Sequence, residues 1–126
     1  MLAVAILGSA PMPRILLVED DVDVRPVIEE SLIDAGYEVD ATGTMSGGIA
    51  MLRSRRYDLV VADGKLPDGT GMDVADAANE KDIRALIVTG YAFTLPLGAR
   101  DRYEIVPKPF SPAEIVAAVK RALEGG

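Results

Sequence analysis

Five short apolar runs recur along the chain: Arg14–Val18, Glu38–Ala41, Leu59–Ala62, Ala85–Thr89 and Glu104–Val106. Helical patterns lie between them. This alternation constrains the fold more than any other feature. Most of the runs carry Val, Ile or Leu at successive positions, so the strands they predict are buried on both faces. Strands alternating with helices imply a mostly parallel sheet with right-handed crossovers and helices on both sides, an α/β doubly wound architecture. The 126 residues suit one domain.

The intervening segments carry their own start and stop signals. Val24, Val27, Ile28, Ser31, Leu32 and Ala35 fall on one helical stripe. Pro26 belongs in a first turn, which makes Asp23 the expected cap, and Gly36 is a natural stop. A second helix is expected from about Thr44 to Arg55, with Met45, Ile49 and Leu52 inward and Gly47-Gly48 weakening it. A third is expected over roughly Gly71–Asn79. The last starts at Ser111-Pro112, with Ser as cap, Pro at the first position and Glu114 three residues on. It turns Ile115, Val116, Val119 and Leu123 inward. Between Thr89 and Lys108, Pro96 and Gly98 interrupt the pattern, so a short or distorted helix is expected there.

Composition narrows the chemistry. The chain has neither Cys nor His, which removes disulfides, thiolate sites, the commonest metal ligand and the usual general base. Any metal must sit on oxygen, which points to magnesium, calcium or manganese. The net charge of −7 makes nucleic acid and anionic membranes poor partners. Residues 1–12, MLAVAILGSAPM, precede the first strand and read as an N-terminal extension without fixed structure. They lack the basic start of a signal peptide and are too short to span a bilayer. The chain is expected to be cytoplasmic, with the domain proper at 13–126.

In open parallel sheets ligands gather at the carboxyl ends of the strands. The first strand stops on Glu19-Asp20-Asp21, three acids where a turn needs one. The third ends on Asp63, the fourth on Thr89, and the fifth leads to Lys108. Three carboxylates, a hydroxyl and an ammonium therefore converge on one sheet edge. Acids in that number call for a positive partner, and Lys108 is the internal one. Asp21 suits a cap for the next segment better than a ligand. Asp63-Gly64 could open a hairpin, yet Lys65-Leu66-Pro67-Asp68-Gly69 does not alternate as a return strand.

The motifs VEDD, VVADGKLPDGTG around Asp63, VTG at Thr89 and KPF at 108–110, in this order, resemble the receiver domain of bacterial two-component response regulators, single-domain and chemotaxis-regulator-like. The resemblance covers about Pro13–Gly125 and implies a five-stranded parallel sheet of order 2-1-3-4-5, flavodoxin-like. It makes Asp63 the phospho-acceptor. Asp20, Asp63 and the Lys65 carbonyl become magnesium ligands, with Glu19 acting through water. Thr89 hydrogen-bonds the phosphoryl group, Lys108 pairs with it, and the Lys108–Pro109 bond is cis. Lys65 and Tyr91 flank the site and would tune hydrolysis.

Such a domain catalyses its own phosphotransfer and slow dephosphorylation without being an enzyme in the wider sense. Its implied partners are a sensor histidine kinase or histidine phosphotransfer protein and an unknown downstream protein, met as a monomer or a phosphorylation-dependent dimer. No DNA-binding segment follows Gly126, so output is expected to run through protein contacts. Two departures stand out. Ile105 occupies the place of the usual switch aromatic, with Tyr103 two residues earlier on the same face, and the fourth helix is truncated. A phosphorylation-independent binding module would want a broken acceptor set, which is intact here. An aspartate-nucleophile phosphatase of the haloacid dehalogenase type would want Asp where Lys65 stands.

Overall fold

Alternation within each strand divides the core into two layers. The computed structural model describes residues 12–90 and 98–125, the side chain of residue 100 aside. Its central sheet comprises β1 (Arg14–Val18), β2 (Glu38–Thr42), β3 (Leu59–Asp63), β6 (Arg84–Thr89) and β7 (Glu104–Pro107). All four pairings are parallel, in the order β2-β1-β3-β6-β7. The order that the resemblance implied, 2-1-3-4-5, is therefore the one observed. Two further strands, β4 (Lys65–Leu66) and β5 (Gly69–Thr70), form a small antiparallel ladder outside the sheet. That ladder departs from the sequence reading. Two residues a side are too few for alternation to register.

Five helices are described: α1 (Val24–Asp34), α2 (Met45–Ser54), α3 (Gly71–Asn79), α4 (Ala99–Arg102) and α5 (Pro112–Glu124). Leu16, Val18, Val60, Ala62 and Ile87 pack against α2 and α3 through Leu52, Val74 and Ala78. Ile15, Leu17, Leu59, Val61 and Val88 pack against α1 and α5 through Ile28, Leu32, Ile115 and Val119. Each such aliphatic side chain taken fully out of water contributes about 1.5–3 kcal/mol, so the two layers supply the main driving force.

Local details follow the same logic. Gly48, which weakens α2 by propensity, faces β1 at close range: a Cβ there would lie 2.9 Å from a Val18 methyl. The loss of propensity is thus offset by a tighter helix–sheet approach. On α5, Ser111 and Glu114 form the expected capping box, with Pro112 at the start. Asp23 makes no side-chain cap. Asp21 takes that part, its Oδ1 accepting from the N–H groups of Asp23 at 2.8 Å and Val24 at 3.2 Å. Val27 also departs from the inward stripe, being half exposed. The short helix expected after β6 is α4, four residues led by Gly98 in the left-handed region at φ 90°. Residues 91–97, with Tyr91 and Pro96, lie outside the described residues, as does the N-terminal segment 1–11. No helix among the described residues is long and apolar enough to cross a membrane.

Candidate phospho-acceptor site

β1, β3 and β6 run parallel and in register, so their last residues reach the same edge. The chain leaves β1 at Glu19, whose N–H still bonds the Thr42 carbonyl at 3.0 Å, as though the strand ran one residue further. Its side chain is consequently fully buried. Asp20 follows at the exposed rim. Asp63 is the final residue of the central strand, opposite Val88, and is buried with the strand. Carboxylate oxygens of Glu19, Asp20 and Asp63 all lie within 4.8 Å of one another.

Lys108 closes this group from the loop after β7. Its Nζ donates to Glu19 Oε1 at 2.9 Å and to Asp63 Oδ2 at 3.2 Å. Its backbone N–H bonds the Thr89 carbonyl at 3.0 Å, and the Lys108–Pro109 peptide is cis. Thr89 is buried next to Gly64, the residue after Asp63: a Cβ on Gly64 would lie 3.0 Å from its Oγ1. Lys65 donates its backbone N–H to Asp63 Oδ1 at 3.4 Å, while its side chain points outward. A cleft of about 550 Å³ opens over these groups, lined by Asp20, Asp63, Lys65, Leu66, Pro67, Gly90 and Lys108.

The electrostatics show what the cluster lacks. Burial, and then the neighbouring Asp63 carboxylate, push Glu19 up to about 7, although Lys108 and the Asp21 N–H act the other way. Burial alone would lower Lys108, but its contacts with Glu19 and Asp63 outweigh that and hold it above its ordinary value. One ammonium thus bridges two of the three carboxylates. The donor set is all oxygen, closely spaced and short of positive charge, and it fits a hard divalent cation.

Glu19, Asp20, Asp63, Lys65, Thr89 and Lys108 all lie at this edge, and Tyr91, also expected to flank it, falls outside the described residues. Two participants were not foreseen. Arg25, on α1, donates from Nη1 to the Glu19 carbonyl at 2.9 Å and so braces the acidic turn. Asp68, at the tip of the small ladder, accepts from the first amides of α2. The Asp68 pairing leaves no local mark, since it joins residues more than 20 apart, and the Arg25 contact, six residues from Glu19, depends on how the turn into α1 is folded. Of the two departures, Ile105 packs in the same cluster as Tyr103. The Tyr103 hydroxyl is already engaged, donating to Asp76 Oδ1 on α3 at 2.6 Å, with Arg102 stacked over the ring.

This geometry defines a parallel α/β domain with an acidic edge and one invading lysine. Residues 15–120 match the response regulator receiver domain, and the chain belongs to that family. It is 32% identical over 121 residues to the probable transcriptional regulatory protein SilR of Salmonella typhimurium, covering 90% of this chain and 52% of that protein. Its fold is similar to a CheY-like receiver domain protein of Methanospirillum hungatei, with TM-score 0.81 and 26% identity, over 91% of this chain and 96% of the other. It is also similar to response regulator TrrA of Thermotoga maritima, solved with Mg(2+)-BeF, with TM-score 0.79 and 31% identity, over 89% and 100% of the two chains. The chain spans from about a quarter to about half the length of the curated relatives it matches.

Proposed function

We propose that this receiver domain accepts a phosphoryl group on Asp63 from a phosphohistidine donor and passes the change on by protein contacts. The observation that carries the reading is the setting of Asp63: a carboxylate at the end of the central strand, open to a cleft, with Lys108 on one oxygen and the Lys65 N–H on the other. An Asp63 oxygen attacks phosphorus, the P–N bond of the phosphohistidine breaks, and the imidazole leaves with the electron pair. The product is an acyl phosphate. Lys108 faces the negative charge that arrives, and the Thr89 hydroxyl, beside Gly64, would donate to the new group.

Glu19, Asp20, Asp63 and the Lys65 carbonyl would hold magnesium. When bound, the ion supplies charge neutralisation and orientation for in-line transfer. That response regulator TrrA was solved in complex with Mg(2+)-BeF supports the same assignment here. An apolar groove of about 520 Å³ between α1 and the 108–112 loop, lined by Val24, Val27, Ile28, Phe110, Pro112 and Ile115, begins beside Lys108. Val27 in its wall is half exposed. A groove of this kind suits an apolar helix face on a histidine kinase or phosphotransfer protein.

The test is incubation with acetyl phosphate and magnesium, followed by intact mass. Wild type should gain one hydroxylamine-labile phosphoryl group, and Asp63→Asn should gain none. Labelling that persists in that variant, at Asp21 or Asp68, would place the acceptor elsewhere.

A further inference from the structure

We infer that Asp68 is a positioning residue for the acceptor: it pins the tip of the 64–70 turn to the start of α2 and thereby sets the backbone of Lys65 against Asp63. The inference rests on the phospho-acceptor reading and deepens it.

After Asp63 the chain turns at Gly64, forms the β4–β5 ladder with Lys65 opposite Thr70 and Leu66 opposite Gly69, and enters α3. A ladder of two residues a side has no stability of its own and must be held from outside. Its root is held. Gly64 N–H bonds the Val88 carbonyl at 2.9 Å, Gly71 N–H bonds the Gly64 carbonyl at 3.2 Å, and Thr70 and Asp73 form a capping box for α3.

Its tip, Pro67-Asp68, is held by α2. Asp68 Oδ1 accepts from Met45 N–H at 2.7 Å and Oδ2 from Ser46 N–H at 3.0 Å. These are first-turn donors with no partner inside the helix, at the end of the helix dipole that favours a carboxylate. The helix's own cap, Thr44, takes only the Gly47 N–H, at 3.0 Å. Asp68 therefore supplies what the lead-in to α2 does not. A separate contact points the same way: Met45 sulfur lies so close to Gly69 that a Cβ there would have to displace it. The two amide bonds also hold the Asp68 carboxyl below its usual range, as a charge-assisted pair should.

The root and the tip together fix the plane of the turn. Lys65 lies between them, and both its N–H to Asp63 and its carbonyl, the proposed ligand, depend on that plane. Release of the tip would let the ladder pivot about Gly64 and pull both groups out of register with Asp63.

The experiment uses the full chain and three variants, Asp68→Ala, Asp68→Asn and Thr44→Ala. Amide NMR without metal reads the Gly64 and Lys65 signals, magnesium titration reads affinity, and acetyl phosphate labelling reads the rate. Asp68→Ala should move the Gly64 and Lys65 amides and weaken magnesium binding roughly tenfold, the size expected when a group behind a ligand is lost. Asp68→Asn, which keeps one acceptor but no charge, should fall between Ala and wild type. Thr44→Ala should lower the melting temperature while leaving magnesium affinity unchanged. The inference is overturned if Asp68→Ala keeps wild-type amides and affinity, if Asn is as weak as Ala so that charge alone explains the loss, or if Thr44→Ala weakens magnesium equally. Should wild type take no phosphoryl group, the functional reading falls, while the amide and titration results still decide the tether.

Discussion

The two ends of the sheet use similar groups to opposite effect. At the amino end, on the β2 side, three carboxylates are fully answered from within. Arg14 reaches Glu38 at 3.1 Å and Asp40 at 3.7 Å, Arg55 reaches Asp40 at 3.1 Å, and the Tyr57 hydroxyl donates to Asp40 at 2.7 Å. Asp58 accepts the Arg14 backbone N–H at 2.8 Å. At the carboxyl end Lys108 bridges Glu19 at 2.9 Å and Asp63 at 3.2 Å, while Asp20 lies within 4.8 Å of both at the exposed rim. The first cluster, three carboxylates met by two guanidinium groups, a hydroxyl and a backbone N–H, is satisfied by the fold and acts as structure. The second is left acidic, and folding by itself gives no reason for that. The number of acids does not separate a site from a scaffold; the shortfall of internal partners does.

The contrast breaks most visibly if one acid is removed at each end. Asp20→Asn should slow labelling of Asp63 by roughly a hundredfold or more, about 3 kcal/mol of transition-state stabilisation. In metal-free buffer the same change should raise thermal stability, because it relieves repulsion among like charges. Undiminished labelling would remove Asp20 from the proposed ligand set.

Asp40→Ala should do the reverse. It strands the Tyr57 hydroxyl and leaves Arg55 without its partner, so stability should drop by about 1–3 kcal/mol while labelling stays as in wild type. Denaturant unfolding measures the first and intact mass the second. A variant as stable as wild type would mean that the amino-end network contributes nothing measurable.

A smaller effect sharpens the comparison at high pH. Burial, with help from the hydrogen bond and charge of Asp40, pushes Tyr57 up to about 12 from 10.0. A raised phenol favours the protonated form in the folded state. Its contribution to stability is therefore complete below pH 10 and lost as pH rises through about 12. Phenolate absorbance should show Tyr57 titrating late, alongside Tyr103, which burial and Asp76 also raise, and Asp40→Asn should bring only the Tyr57 step earlier. Four tyrosines ionising together near the ordinary value would contradict the Tyr57 environment.

These comparisons also mark what was legible in the sequence. Strands buried on both faces announce themselves as unbroken runs, and a parallel sheet brings their carboxyl ends together without further information. Glu19, Asp20, Asp63, Thr89 and Lys108 could be placed at one edge for that reason. The last helix was equally plain, since Ser111, Pro112 and Glu114 form a local signal. Contacts made across the fold were not readable. Asp68 stands more than 20 residues from the amides it caps. Arg14 and Asp40 meet only because β1 and β2 pair. Tyr103 finds Asp76 on α3, 27 residues earlier, only because the fold brings them together. The cap expected at Asp23 fell to Asp21, whose carboxylate takes the first amides, and the exposed Val27 has a separate cause. Periodicity places a residue on a helix face but does not say how far the neighbouring layer extends over it.

The most direct test of the difference between the two ends is a magnesium titration of the unphosphorylated protein followed by amide NMR. Signals from Glu19 to Asp21 and from Asp63 to Lys65 should move together with one weak affinity, while those of Glu38, Asp40 and Asp58 stay in place. If both ends responded alike, or the carboxyl end did not respond at all, the acidic edge would not be a cation site, and its excess of negative charge would need another explanation.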